Sequence, residues 1–542
     1  MSQSAQKFRY RWASGGDLNA FFALMLDNLL NLVILAGLLK LFGYPLDKVF
    51  TLMIPGTALG VLVGDVIYSW MAVRLANKTK NPNVTAMPLG LDTPSTIGIA
   101  LTVLGPAFLA AKAGYLEAGM EDAMAIEKAA YTTWYVGMAV MMVMGLVKTV
   151  FSFFGDLVRR AVPPAGLLGS LGGIGLCLLA YIPMVKVFEA PIVGLSALGL
   201  VLFTLVAKYP LPFKIPGAAF AVIFGTILFY ILGPVGLATK SFEWPEASFA
   251  LAFPIPTLDF IKGMADVGPY LPIAIPFGLL TIIGGINVTE SARLAGDEYK
   301  TRDILLTEAI ATLVAGLCGG VSQSTPYIGH PAYKAMGARA AYTLATGIFV
   351  GLGGIFGYVQ FVVALIPEAA VTPLLVFIGL EIIHQAYHEC PKKHSPAVSM
   401  AFLPIVAQFG LITAKTIVGG DLHTFSADVQ HNVHMLAILG NGFILTAMLW
   451  GGAVALLIDR KLILSSIFWY VCAFLTMVGL IHSVKMSGSM YLPWMLEEGA
   501  KDMWLITAGY VVLGTFFLVV GLVHRSIGYE VPETEGEAAS QA

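Results

Sequence analysis

The chain has 542 residues, 57% of them hydrophobic and only 12% charged, with a net charge of −2 and a mean hydropathy of +0.81. Soluble globular domains carry roughly 25% charged residues, and about half that share leaves too little polar surface to solvate a globule. The lipid bilayer is therefore the solvent for most of the chain. Near-neutral charge without a long basic run argues against nucleic acid as a partner. No Walker motif, HExxH, paired CxxC or haem signature is present, so the expectation is no cofactor, no metal, no ATP hydrolysis and no enzymatic activity.

Residues 1–17 form a polar, basic tail (Lys7, Arg9, Arg11) expected in the cytoplasm. The apolar stretch that follows is long enough to span by itself and reads as a retained first helix, not a cleaved signal. Seven spans follow the tail: 18–42, 49–75, 85–111, 129–154, 162–185, 190–208 and 215–236. A polar extracytoplasmic connection occupies 237–267. A second group of seven spans covers 268–295, 302–320, 323–340, 341–366, 370–387, 397–418 and 433–457. Two additional helices, 462–484 and 502–524, fall in 458–528, and 529–542 reads as a disordered acidic tail.

Charge placement tests this count, because cytoplasmic connections are rich in Lys and Arg. Basic clusters alternate along the chain: Arg74/Lys78/Lys80, Lys148/Arg159/Arg160, Lys208/Lys214, Arg293/Lys300/Arg302, Lys334/Arg339, Lys392/Lys393 and Arg460/Lys461. Between them lie Glu117/Glu121/Asp122, Glu243/Glu246/Asp259 and Glu497/Glu498. The alternation predicts about sixteen passes of the plasma or inner membrane with both termini cytoplasmic. The four cysteines (Cys177, Cys318, Cys390, Cys472) lack metal spacing and read as small packing residues.

Two spans are interrupted at the same position of the two groups. The third contains Pro88-Leu89-Gly90-Leu91-Asp92-Thr93-Pro94, and the tenth contains Ser324-Thr325-Pro326-Tyr327-Ile328-Gly329-His330-Pro331. Proline removes a helix donor and biases the preceding residue toward extended backbone, yet suits the first helical turn. Each span is thus expected to be a short strand opening a half-helix, with Asp92 or Thr93 and His330 near the cap. Unpaired backbone in lipid costs several kcal/mol per group, so such a break survives where protein or water satisfies it. Seven is odd, so the second group enters from the other side and the repeat is inverted.

Asp27, Asp65, Asp92, Glu290, Glu308, His330, Glu381 and His384 lie within or at the edge of apolar runs, where each needs a partner, a proton or water. Structural pairing is an equal reading for Asp65, Glu308 and Glu381, and interfacial packing is the better one for Glu381, His384 and His388. The steps Gly169/Gly173 and Gly353/Gly357 permit close helix packing.

The run Val288-Thr289-Glu290, then Arg302-Asp303, the glycines of 316–320, and the opening of the tenth span resemble the uracil/xanthine permease (nucleobase–ascorbate transporter) family. The Arg159-Arg160-Ala161-Val162-Pro163-Pro164 entry to the fifth span is similar to that family too. The resemblance covers about 18–457 and is that of a divergent member: His330 and Pro331 stand where the family has an acidic residue and Asn, and Asp27-Asn28 where it often has Gln-His. It implies an all-α, seven-plus-seven inverted repeat, with a core of helices 1–4 and 8–11 moving against a gate of 5–7 and 12–14. It also implies substrate contacts at Glu290 and the opening of the tenth span (Tyr327, Gly329, His330), with Asp27 and Asn28 at the first-helix position. The half-helix caps Asp92 and Thr93 join this set, and ion coupling is expected at Glu290 and His330, which should titrate together.

The function expected is a secondary-active permease for a small polar solute, first a nucleobase or related heterocycle, driven by protons or sodium as coupling ion. The alternatives are a small-anion transporter of the sulfate/bicarbonate type, and a channel or non-transporting membrane protein. A homodimer is left open.

Overall fold

The computed structural model describes residues 8–154, 163–212, 217–238, 242, 244, 251–327, 329–418, 425–486, 488–496 and 499–527. The expected acidic tail at 529–542, Arg159/Arg160 and residues 239–241, 243 and 245–250 of the 237–267 connection lie outside them.

The chain is a multi-pass, predominantly helical membrane protein with two short strands among the described residues, the fold class read from sequence. In order come α1 (Gly16–Leu41), α2 (Leu46–Thr79), β1 (Leu89–Leu91), α3 (Thr93–Glu117), α4 (Asp122–Ser152), α5 (Pro164–Glu189), α6 (Pro191–Val206), α7 (Gly217–Leu232), α8 (Gly268–Leu294) and α9 (Thr301–Leu317). Then follow β2 (Ser324–Pro326), α10 (His330–Ala335), α11 (Ala341–Phe356), α12 (Glu368–His388), α13 (Ser395–Val418), α14 (Ala427–Gly440, resuming as Phe443–Ile458), α15 (Leu462–Met477) and α16 (Ala500–Ser526). Among the described residues, nine helices are long and apolar enough to cross a bilayer, and the bent α14 pair makes ten.

The chain divides into two compact units, Met1–Ala161 with Ile174–His384, and Val162–Gly173 with Gln385–Ala542. In the first, α2 is the packing axis, and its glycines explain why. A Cβ added at Gly60 would lie 2.7 Å from the Cβ of Ala315 on α9, and one at Gly64 would lie 2.2 Å from Leu89 of β1. From the other side, a Cβ at Gly347, Gly351 or Gly354 of α11 would come within 2.6–2.7 Å of Asp65, Leu62 or Ala58 of α2. Backbones approach this closely where side chains are absent. The step Gly353/Gly357 does not serve this way: Gly353 faces Tyr358 and Val359, and Gly357, at φ +75°, ends α11.

Both interrupted spans are strand plus helix. β1 and β2 pair antiparallel with Leu89 opposite Pro326, Gly90 opposite Thr325 and Leu91 opposite Ser324. The pairing is extended by Asp92 N–H donating to the Gln323 carbonyl (2.9 Å) and Tyr327 N–H donating to the Pro88 carbonyl (2.9 Å). Each strand thus satisfies backbone that neither span could satisfy alone.

In the second unit, Gly169 and Gly173 pack against Val398, Ala401, Phe402 and Ile405 of α13, as their spacing suggested. The expected continuous span 433–457 is instead broken at Asn441-Gly442, with a 66° bend. Gly442 sits at φ +72°, and the segment after α15 fills the break: His482 N–H donates to the Asn441 carbonyl, and the Asn441 amide donates to the Ser483 and Lys485 carbonyls. That segment also shortens the expected 462–484 helix, which ends at Met477.

Candidate functional site

The crossing of β1 and β2 gathers polar residues from several elements of the first unit. Asp92 closes β1 and caps α3, its carboxylate accepting the Ser95 N–H at 3.0 Å, with Thr93 and Pro94 in the first turn. Removing a cap of this kind costs about 1 kcal/mol. The Gln323 side chain lies against the same carboxylate.

α1 runs beside β1 and meets it with a polar face one helical turn long. Asn28 accepts the Leu91 N–H at 3.1 Å through Oδ1, and its amide nitrogen donates to the Leu24 carbonyl. Asn31 donates to the Asp27 carbonyl at 3.0 Å and to the Leu91 carbonyl at 3.4 Å. Asp27 Oδ2 and Asn31 Oδ1 are both enclosed and neither accepts a hydrogen bond. Buried acceptors left in this state cost about 1–3 kcal/mol each, so a donor brought to them gains correspondingly.

Gly90 sits opposite this face. A Cβ added there would meet Asp27 Oδ2 at 3.4 Å, the Tyr327 ring at 3.8 Å and Asn28 Nδ2 at 3.9 Å. Many of the chain's helical glycines would clash below 3 Å, whereas a methyl at Gly90 would meet a carboxylate, an amide and an aromatic ring at ordinary contact distances. Gly329, the residue before α10, packs beneath that ring, a Cβ there reaching Tyr327 at 2.9 Å.

Behind β2 lies a fully buried ion pair, Lys148 of α4 and Glu308 of α9 at 2.8 Å. Lys148 also donates to the Thr312 hydroxyl (3.1 Å) and to the Ser324 carbonyl (3.0 Å). This corrects the assignment of Lys148 to a cytoplasmic basic cluster. It lies on the buried face of α4, where Glu308 compensates its charge. Asp65 of α2 fixes the start of β1, accepting the Leu89 N–H at 3.3 Å and the Thr343 hydroxyl at 2.5 Å, so its role is structural.

Two sequence-predicted residues have other partners. Glu290, near the end of α8 and about one-third exposed, pairs with Arg293 at 2.6 Å. His330 is fully buried, with Nε2 3.3 Å from Asp297, which also binds Lys334 at 2.6 Å and the Thr85 N–H at 3.1 Å. The charged partner of His330 is thus Asp297, where Glu290 had been expected. The exposed Glu381 lies on the surface of α12.

Sequence reading brought Asp27, Asn28, Asp92, Thr93 and Tyr327 to one place but passed over Asn31, Lys148 and Gln323. Asn31 was findable, since it lies one helical turn beyond Asp27 in an otherwise apolar run.

No protein-family model and no curated protein matches this chain. The resemblance to uracil/xanthine permeases therefore gains no support from that side. Among the solved structures to which the chain is similar are the following three. The transmembrane domain of a cyanobacterium bicarbonate transporter, BicA, is 14% identical with a TM-score of 0.49, over 75% of this chain and 97% of that one. The overall structure of SLC26A9 is 12% identical with a TM-score of 0.49, over 82% and 65%. The murine anion transporter Slc26a9 in the inward-facing state is 12% identical with a TM-score of 0.48, over 80% and 69%. At these values the functional reading rests on the chain's own geometry.

Proposed function

We propose that the chain is a secondary-active transporter for a small polar solute that presents hydrogen-bond donors, a nucleobase or related heterocycle being the first class to test. The observation that carries this is the polar cluster beside Gly90: the enclosed Asp27 Oδ2 that accepts no hydrogen bond, the Asn28 amide and the Tyr327 ring. A carboxylate accepts ring N–H groups, an amide donates to a ring carbonyl, and an aromatic ring stacks on a planar solute. Its position, where two strand-plus-helix spans run antiparallel, is the arrangement in which transporters hold substrate while one repeat moves against another. Glu290 and His330 enter as proposed contributors to ion coupling through their own pairs with Arg293 and Asp297.

A second reading is a small anion. The Lys148 ammonium in the same crossing favours it, and protons on Asp27 and Asp92 would then have to discharge the surrounding carboxylates. Uptake by purified protein in proteoliposomes under a pH gradient tests both, with labelled purines and pyrimidines in one arm and bicarbonate and sulfate in the other. Heterocycle uptake that falls roughly tenfold or more in Asp27→Asn, at unchanged melting temperature, supports the first reading. Uptake confined to anions, or heterocycle uptake indifferent to Asp27→Asn, overturns it.

A further inference from the structure

The buried Lys148–Glu308 pair, which the heterocycle reading does not use, is held among three separate elements. The ammonium of Lys148 (α4) touches Glu308 Oε1 and Thr312 Oγ1 of α9, and the Ser324 carbonyl of β2, at 2.8, 3.1 and 3.0 Å. These three oxygens use all three N–H donors of an ammonium. Lys148 and Glu308 are both fully buried, and the ammonium also attracts Asp92 across the crossing. Carboxylate, hydroxyl and backbone carbonyl oxygens make the donor set of a hard cation, and unwound backbone carbonyls are where transporters coordinate coupling ions. An apolar pair would hold α4 against α9 at no greater cost than two buried charges. An apolar pair would leave the Ser324 carbonyl without this donor.

We propose that the Glu308–Thr312–Ser324 cage is an alkali-cation site filled by the chain's own Lys148 ammonium, a tethered cation that makes the protein independent of Na+ and K+. The transport half of this statement rests on the transporter reading above. The site half does not.

The test is the melting temperature of purified Lys148→Ala in sodium, potassium, methylammonium or choline chloride at equal ionic strength, beside the wild type. The expected result is a wild type that melts alike in all four. Lys148→Ala should melt lower in choline and recover at least half the loss in sodium, potassium or methylammonium, and Glu308→Gln in the same background should abolish the recovery. If Lys148→Ala cannot be purified in choline, its recovery as folded protein in one of the other three salts supports the proposal, and recovery in none overturns it. Melting of Lys148→Ala that ignores the cation, or a wild type stabilised by Na+, also overturns it. In proteoliposomes, uptake by Lys148→Ala should be about tenfold below wild type in choline and become dependent on Na+ or K+. Cation-blind melting beside active wild-type uptake defeats the tethered cation alone. Cation-dependent melting without wild-type uptake of any solute defeats the transporter reading alone.

Discussion

Gly90 and Gly64 lie close in space but predict opposite outcomes when replaced by alanine. At Gly90 the new methyl meets its neighbours at ordinary contact distances of 3.4–3.9 Å, so Gly90→Ala should melt near wild type while placing a methyl against Asp27 and Tyr327. At Gly64 it would sit 2.2 Å from Leu89, and the overpacking should cost about 1–3 kcal/mol. Melting curves and ligand binding measured together separate the two. Glu290 offers a similar contrast with Asp27. Its pair with Arg293 is partly exposed, and pairs of that kind contribute about 0–1 kcal/mol. Glu290→Gln should therefore leave melting near wild type and reduce uptake less than Asp27→Asn does, an equal loss contradicting this and a greater one marking Glu290 as the more important carboxylate. Asp27 and Asp92 were legible because an ionisable residue in an apolar run demands a reason, whereas Asn28 and Tyr327 entered through the family resemblance. Lys148 was misread because a lysine a few residues from a span's end can reach solvent or pair inward. Its partner, Glu308, is 160 positions away, and sequence spacing does not reveal that distance.

The interrupted spans were legible as elements because proline and glycine restrict the backbone locally, and the two breaks occupy matching positions. The register, Gly90 opposite Thr325, was not, because it depends on two segments more than 200 residues apart. The break in α14 went unread although Gly440-Asn441-Gly442 is a turn signal. Long apolar flanks on both sides outweighed it, and the structure shows what stabilises it. The Asn441 amide donates to two carbonyls of the segment after α15, at 2.7 and 3.1 Å. Asn441→Ala should leave both without that donor and destabilise the second unit by about 1–3 kcal/mol. Hydrogen exchange in 478–486 should accelerate in the variant. Unchanged protection there would mean that Gly442 alone sets the bend.

At the scale of the molecule, composition alone fixed the solvent, and apolar periodicity placed most helix bounds within a few residues of those observed. Hydropathy averages over a window, so it could not distinguish long spans from α6, α7, α11 and α15, which are shorter apolar helices of 10–17 residues. Nor could it assign a solute, because that depends on a few polar atoms around a single glycine. The central claim is that Asp27, Asn28 and Tyr327 together hold a donor-bearing solute beside Gly90. Its most direct test is a thermal-shift screen of purified wild type, Asp27→Asn and Gly90→Ala against purines, pyrimidines, bicarbonate, sulfate and chloride. The account predicts that at least one N–H-bearing heterocycle raises the wild-type melting temperature and that the shift disappears in both variants. A heterocycle shift that persists in both variants, or stabilisation of the wild type by anions alone, would contradict it.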